Sequence, residues 1–142
     1  MEQKEQSGLN KFDRGMGTPY ERISLWDFFA ELNGRKKINS VLELPRDGMY
    51  GIMGLNSMHF ASAGRKTTMF VEGEKEKEFV EDISKKQKAN LDVRVYKAIA
   101  DLKKIPDSSY DLVFAFNVLS DYSNMQEIVE QMGRISNKYV FF

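Results

Sequence analysis

The chain contains no cysteine. Disulfides, thiolate metal sites and cysteine nucleophiles are excluded together. Histidine occurs once, as His59, so no multi-histidine metal site and no histidine-based triad can form within this chain. Net charge is also missing. The 21 Lys and Arg residues balance 21 Asp and Glu residues, and the pI is near 6.6. That balance gives no electrostatic footprint for a nucleic-acid backbone or an anionic membrane, so neither is an expected partner. No apolar run approaches membrane-spanning length, and the start, MEQKEQSGLNKFDRG, is polar rather than signal-like. A cytoplasmic protein is the expectation.

What is present is enough for one core. At 142 residues, with 42% apolar and 30% charged, the composition is that of a globular domain. Residues 1–17 carry charge and little apolar periodicity, and they read as a flexible N-terminal arm. Residues 18–142 read as one domain, a helix over 18–33 followed by a core over 40–142. Thr18-Pro19-Tyr20-Glu21 has a capping residue, proline at the first helical position and an acid three residues after the cap. Ile23, Leu25, Trp26, Phe28, Phe29 and Leu32 follow, an aromatic-heavy face expected to lie on a sheet or roof a pocket, and Asn33-Gly34 reads as the stop. Arg35-Lys36-Lys37 reads as a solvated turn.

Val41-Leu42-Glu43-Leu44 predicts a strand, running into a loop that holds Gly48, Gly51 and Gly54. A helix is expected over Asn56 to Ala63, and strand, glycine loop, helix is the local plan of a nucleotide pocket in α/β sheets. Further strands are expected over Thr67–Val71, Leu91–Tyr96, Asp111–Phe116 and Tyr139–Phe142. The third alternates, whereas Asp111-Leu112-Val113-Phe114-Ala115-Phe116 is the near-continuous apolar type buried on both faces. Between them, Glu74 to Lys88 places its acids early and its lysines late, as the helix dipole prefers. Ala98 to Ile105 reads as a helical turn or a loop, and Ser123-Asn124-Met125-Gln126 as a capping box opening a last helix. Strands alternating with helices favour a parallel sheet with right-handed crossovers.

Taken in order, these landmarks resemble the class I (Rossmann-like) S-adenosylmethionine-dependent methyltransferases, over roughly Ser40 to Phe142. The first strand looks like that family's strand into its glycine loop. Glu72, after Met69-Phe70-Val71, looks like the acid that grips the ribose hydroxyls, and a carboxylate can accept from both hydroxyls of a diol. Ile105-Pro106-Asp107-Ser108-Ser109-Tyr110-Asp111-Leu112-Val113 is similar to the link into the fourth strand, and Phe116-Asn117-Val118-Leu119 to the segment beside the donor. The resemblance implies a three-layer α/β sandwich, a mostly parallel sheet of about five strands in the order 3-2-1-4-5, without the terminal antiparallel hairpin. It implies S-adenosylmethionine as cofactor, methyl transfer to a small-molecule or protein acceptor, and no metal. The cofactor-binding residues it implies are Glu43, Pro45, Asp47, Gly48, Gly51, Glu72, Gly73, Asp101 and Asn117. No catalytic residue is implied, since the family requires none in a fixed place.

Three departures stand out. Pro45 occupies the place of the loop's first glycine and lacks an amide hydrogen, and the interval from Glu43 to Glu72 exceeds the roughly 20 residues of a dinucleotide fingerprint. The place of the family's adenine-contacting acid falls near Ile99, which leaves Asp101, two residues along, as a substitute or adenine held by apolar contacts alone. The chain stops inside its fifth strand, which leaves an aromatic edge prone to pairing. Truncation, or a homodimer through that edge, is the expectation.

Each residue also has a plainer role. Glu43 inside an apolar strand needs partners, such as loop amides, which would make it a scaffold rather than a ligand. Asp47 meets the donor's amino group or caps a turn, and Asn117 orients a substrate or makes a structural bond. Met49, Met53 and Met58 line a pocket or fill a core; Tyr20, Tyr50 and Tyr122 are candidates to face a sulfonium. His59 reads as a half-exposed helix residue. The competing functional readings are a catalytically inactive methyltransferase-like assembly module and a nicotinamide-dinucleotide domain; the lengthened, proline-broken loop opposes the latter.

Overall fold

A computed structural model of the chain describes residues 19–44, 53–115 and 123–142, with side chains from residue 23 onward. Five strands, β1 (Ser40–Glu43), β2 (Lys66–Val71), β3 (Leu91–Val95), β4 (Tyr110–Phe114) and β5 (Ser136–Phe141), form one sheet. Its order is β3-β2-β1-β4-β5 and every pairing is parallel, as the resemblance implied. The helices are α1 (Pro19–Lys36), α2 (Leu55–Ser62), α3 (Glu74–Lys86), α4 (Ile99–Lys103) and α5 (Met125–Ile135).

Strand alternation sends successive side chains to opposite faces, and two differently built cores result. On one face α1 and α2 pack on β1 and β4: Phe29 is fully buried, with ring centroids 5.1 Å from Phe60 and 5.4 Å from Phe114. Beside it, Met53, Met58, Met69, Val71, Val80 and Val93 join α2 and α3 to β2 and β3. Met53 and Met58 are therefore core filler. On the other face, Leu42, Val113, Leu102, Ile128, Met132 and Ile135 join β1 and β4 to α4 and α5.

Several local expectations give way to tertiary context. The first helix runs through Asn33-Gly34 and ends only where Lys37 takes the left-handed conformation (φ 49°), so Arg35 and Lys36 form its last turn rather than a loop. Cations suit that end of a helix. Its buried stripe is also narrower than its aromatic content suggests: Leu25 and Phe29 are buried, while Ile23, Trp26 and Phe28 remain exposed. The last helix starts at Asn124 without a side-chain cap, so the Ser123 capping box does not form; β5 follows it directly, from Ser136. The Thr18 cap and the arm over 1–17 lie outside the described residues.

Two side chains fix the connections. Arg134 on α5 donates to the carbonyls of Leu102 (2.9 Å) and Ile105 (2.7 Å), which ties the α4–β4 link to α5. Asp111 accepts from the Asn39 amide (2.8 Å), the Asn137 side chain (3.3 Å) and Lys138 (3.1 Å), stitching β4 to the chain before β1 and to β5. Burial alone would raise this carboxyl's pKa; those three partners together hold it below its ordinary value.

Gly54 closes the loop after β1 and sits at the amino end of α2 with φ 79°. A Cβ there would lie 3.1 Å from both Met69 Sδ and Val80 Cγ1. Left-handed backbone costs a residue with a Cβ about 1–2 kcal/mol, and the two contacts add to it. Gly54→Ala is therefore expected to lower the free energy of unfolding by at least that amount, read as a lower denaturant midpoint at an unchanged m-value; a variant as stable as the parent would refute this account of the turn.

Candidate carboxyl-edge site

The sheet changes winding direction at β1. From β1 the chain winds outward through β2 to β3, and from β1's other side through β4 to β5. The helices that follow β1 and β4, α2 and α5, lie on opposite faces of the sheet, so the carboxyl ends of these strands form the switch point at which open α/β sheets bind ligands. The edge is stiffened past the strand ends. Leu44 donates to Phe114 O (2.9 Å), Tyr96 to Val71 O (2.7 Å) and Ala115 to Phe141 O (3.0 Å).

Glu43 is the last residue of β1 and is 1% exposed. Its side chain points to the face covered by α2, where the fully buried hydroxyl of Ser57 donates to its Oε2. One partner is thus a helix hydroxyl, while the loop amides expected from the sequence lie outside the described residues. Nothing in the sequence marks Ser57 as the partner of an acid.

Glu72 stands one residue past β2 and is exposed to solvent. Gly73 follows as the residue preceding α3, in extended conformation (φ −155°), and a Cβ there would meet only Glu76 Oε2, at 3.8 Å. Neither backbone nor packing requires glycine at that position.

Asp101 lies in the first turn of α4. Its Oδ2 accepts from the amides of Lys97 (2.9 Å) and Ala98 (3.3 Å), and its Oδ1 from Lys104 (2.9 Å). Lys104, helped by the two amides, holds its pKa down at about 2. The carboxylate therefore works as the helix's own amino-terminal clamp.

Pro45, Asp47, Gly48, Gly51 and Asn117 lie outside the described residues, as do Met49, Tyr50, Tyr122 and the side chain of Tyr20. His59 is half-buried, its ring stacked on Trp26 with centroids 6.1 Å apart, and burial lowers its pKa. Among the described residues no group of three or more His, Cys, Asp or Glu is placed to hold a metal ion.

Ser57→Ala removes a donor from a buried carboxylate, which costs about 1–3 kcal/mol. In a Glu43→Gln background, where the charge is gone, the same change is expected to cost distinctly less. Equal losses in both backgrounds, measured by urea unfolding, would show that the two side chains are not coupled.

No protein-family model and no curated protein matches this sequence. Solved structures do. The MccD protein is 20% identical, with a TM-score of 0.66 over 84% of this chain and 51% of that one. A protein described as a 'putative O-methyltransferase' from Klebsiella pneumoniae is 14% identical, with a TM-score of 0.66 over 92% of this chain and 61% of that one. One described as a 'putative S-adenosyl-L-methionine-dependent methyltransferase' from Methanococcus maripaludis is 14% identical, with a TM-score of 0.62 over 99% of this chain and 66% of that one. The chain thus spans between about half and two thirds of these proteins' lengths, and what it shares with them is the Rossmann-like methyltransferase fold.

Proposed function

We propose that the chain is the donor-binding core of an S-adenosylmethionine-dependent methyltransferase of the cytoplasm, acting on a small-molecule or protein acceptor. The observation that carries this is the pairing of the switch point between β1 and β4 with an exposed carboxylate, Glu72, just past β2. Gly73 supports it further. A glycine that the fold does not require, beside an exposed acid, suits the close approach of a ligand to backbone.

In this reading Glu72 accepts from the two ribose hydroxyls, with Gly73, Gly48, Gly51, Pro45 and Asp47 lining the donor's path. Asn117 faces the reacting end. Glu43 and Asp101 act from behind, Glu43 by fixing β1 against α2 and Asp101 by shaping the turn after β3. The bound donor supplies a methyl group already activated by its sulfonium. The chain's own task is to align the acceptor with that methyl and to keep water out, which needs position rather than acid–base chemistry. The part of α1 from Tyr20 to Leu32, with Ile23, Trp26 and Phe28 exposed, is the described surface best suited to select the acceptor.

Calorimetry with S-adenosylmethionine and S-adenosylhomocysteine tests the reading. Both are expected to bind, with affinity falling about ten-fold or more in Glu72→Ala, the loss of hydrogen bonds to a charged group. Gly48→Val is expected to abolish the heat. Absence of heat from the unmodified chain would leave an assembly module on the same scaffold.

The homodimer belongs to the same proposal. β5 ends one side of the sheet, with Phe142 at 65% exposure beside it, and such an edge pairs readily with its own copy. Sedimentation is expected to show a dimer that Val140→Pro dissociates; a monomer at every concentration would end this part.

A further inference from the structure

A cavity runs along the sheet from the amino end of β2 to the carboxyl end of β3. β3 alternates Leu91, Val93 and Val95 toward the α3 side with Asp92 and Arg94 on the other. On that other side α4 is only five residues long, and α5 lies over β4 and β5. The flank of β2 and β3 is left without a helix, and a groove of about 480 Å³ opens there. That volume is within the range of small-molecule sites.

The groove is lined by chemistry of one bias. Lys66, Arg94 and Lys104 stand around it, and Phe70, Ile105 and Tyr110 supply apolar surface. The Tyr110 hydroxyl donates to Thr68 Oγ1 (3.0 Å), which keeps the ring in place. Arg94 is joined to Asp92 (2.6 Å) and Lys104 to Asp101 (2.9 Å), so both neighbouring carboxylates are already engaged. Lys66 is different. Its Nζ lies 5.9 Å from the Tyr110 ring centroid and pairs with no carboxylate among the described residues. Three cations against two occupied carboxylates leave one positive charge over an aromatic wall.

We propose that this groove binds a small organic anion, a carboxylate or phosphate monoester on a compact apolar body. Its Lys66 end lies away from the carboxyl edge, and its other end reaches Val95 and Asp101. Lys66 is the first residue of β2 and Tyr110 the first of β4, whereas the carboxyl edge begins past Val71 and Phe114. From Lys66 to Val71 the strand advances roughly 16 Å. Lys66 and Tyr110 are thus set apart from Glu72, and competition by S-adenosylhomocysteine tells the two binding reactions apart.

The test is a titration of the full chain, followed by amide chemical shifts, with phenyl phosphate, benzoate, inorganic phosphate and neutral benzyl alcohol. Phenyl phosphate or benzoate is expected to move the amides of Arg94, Ser109 and Tyr110 saturably, and which of the two binds tighter tells phosphate ester from carboxylate. Benzyl alcohol should move none of them. K66E, at an exposed position, should weaken binding about ten-fold or more, since it turns an attraction into a repulsion at close range. K104E provides a second, independent reversal with the same expected direction. Three results would overturn the proposal: inorganic phosphate binding as tightly as phenyl phosphate, indifference to both reversals, or displacement by S-adenosylhomocysteine.

Discussion

A carboxylate at the end of the central strand, buried between sheet and helix, constrains everything around it. Glu43 cannot lie in that interior without donors, and the Ser57 hydroxyl is one of them. The bond fixes α2 across β1, and Gly54 makes the approach possible by turning in a conformation that other residues resist. Met69 and Val80 close over Gly54 at contact distance, so the turn, α2, β2 and α3 are positioned as one unit. The span after β1 must begin at Glu43 and end at Gly54, whatever its length. That is why a proline-broken and lengthened connection is compatible with an ordinary sheet.

The two faces of the sheet solve different problems. The face under α1, α2 and α3 is closed by rings and thioethers, with Phe29, Phe60 and Phe114 in mutual contact and three methionines beside them. The opposite face is closed over β1 and β4 but stays open over β3, because a five-residue helix is too short to cover both flanks. Arg134 compensates where it can, by holding the α4–β4 link at two carbonyls. The polar side of β3 is thus a consequence of connection length. Hydrophobic burial sets the fold on one side, and solvent access is conserved on the other.

Strand and helix order was legible because apolar runs and capping acids are local signals. β4 announced itself as doubly buried, and β3, by alternating, as half-wet; the sheet order came from resemblance rather than from any pattern in the residues. The end of α1 was misread at Asn33-Gly34, where helical contacts outweighed two poor helix formers and Lys37 supplied the left-handed stop. The breadth of its buried face was overread from composition, since Trp26 and Phe28 are exposed although Phe28 still meets Phe141 at 5.4 Å. Ser57 could not be read at all. Nothing in a sequence says which of several inward hydroxyls will meet a carboxylate fourteen positions away.

Two acids at neighbouring strand ends show how little separates a structural carboxylate from an available one. Glu43 ends β1 inside the ladder, where its surroundings are fixed and its solvent is gone. Glu72 lies one peptide beyond β2, in a segment held on one side by the Tyr96 amide bonded to Val71 O and on the other by α3. It inherits the strand's position without losing its water. A group that bonded to Glu43 would first have to displace a buried bond, whereas Glu72 keeps its exposure to solvent. The division follows from a single residue of register.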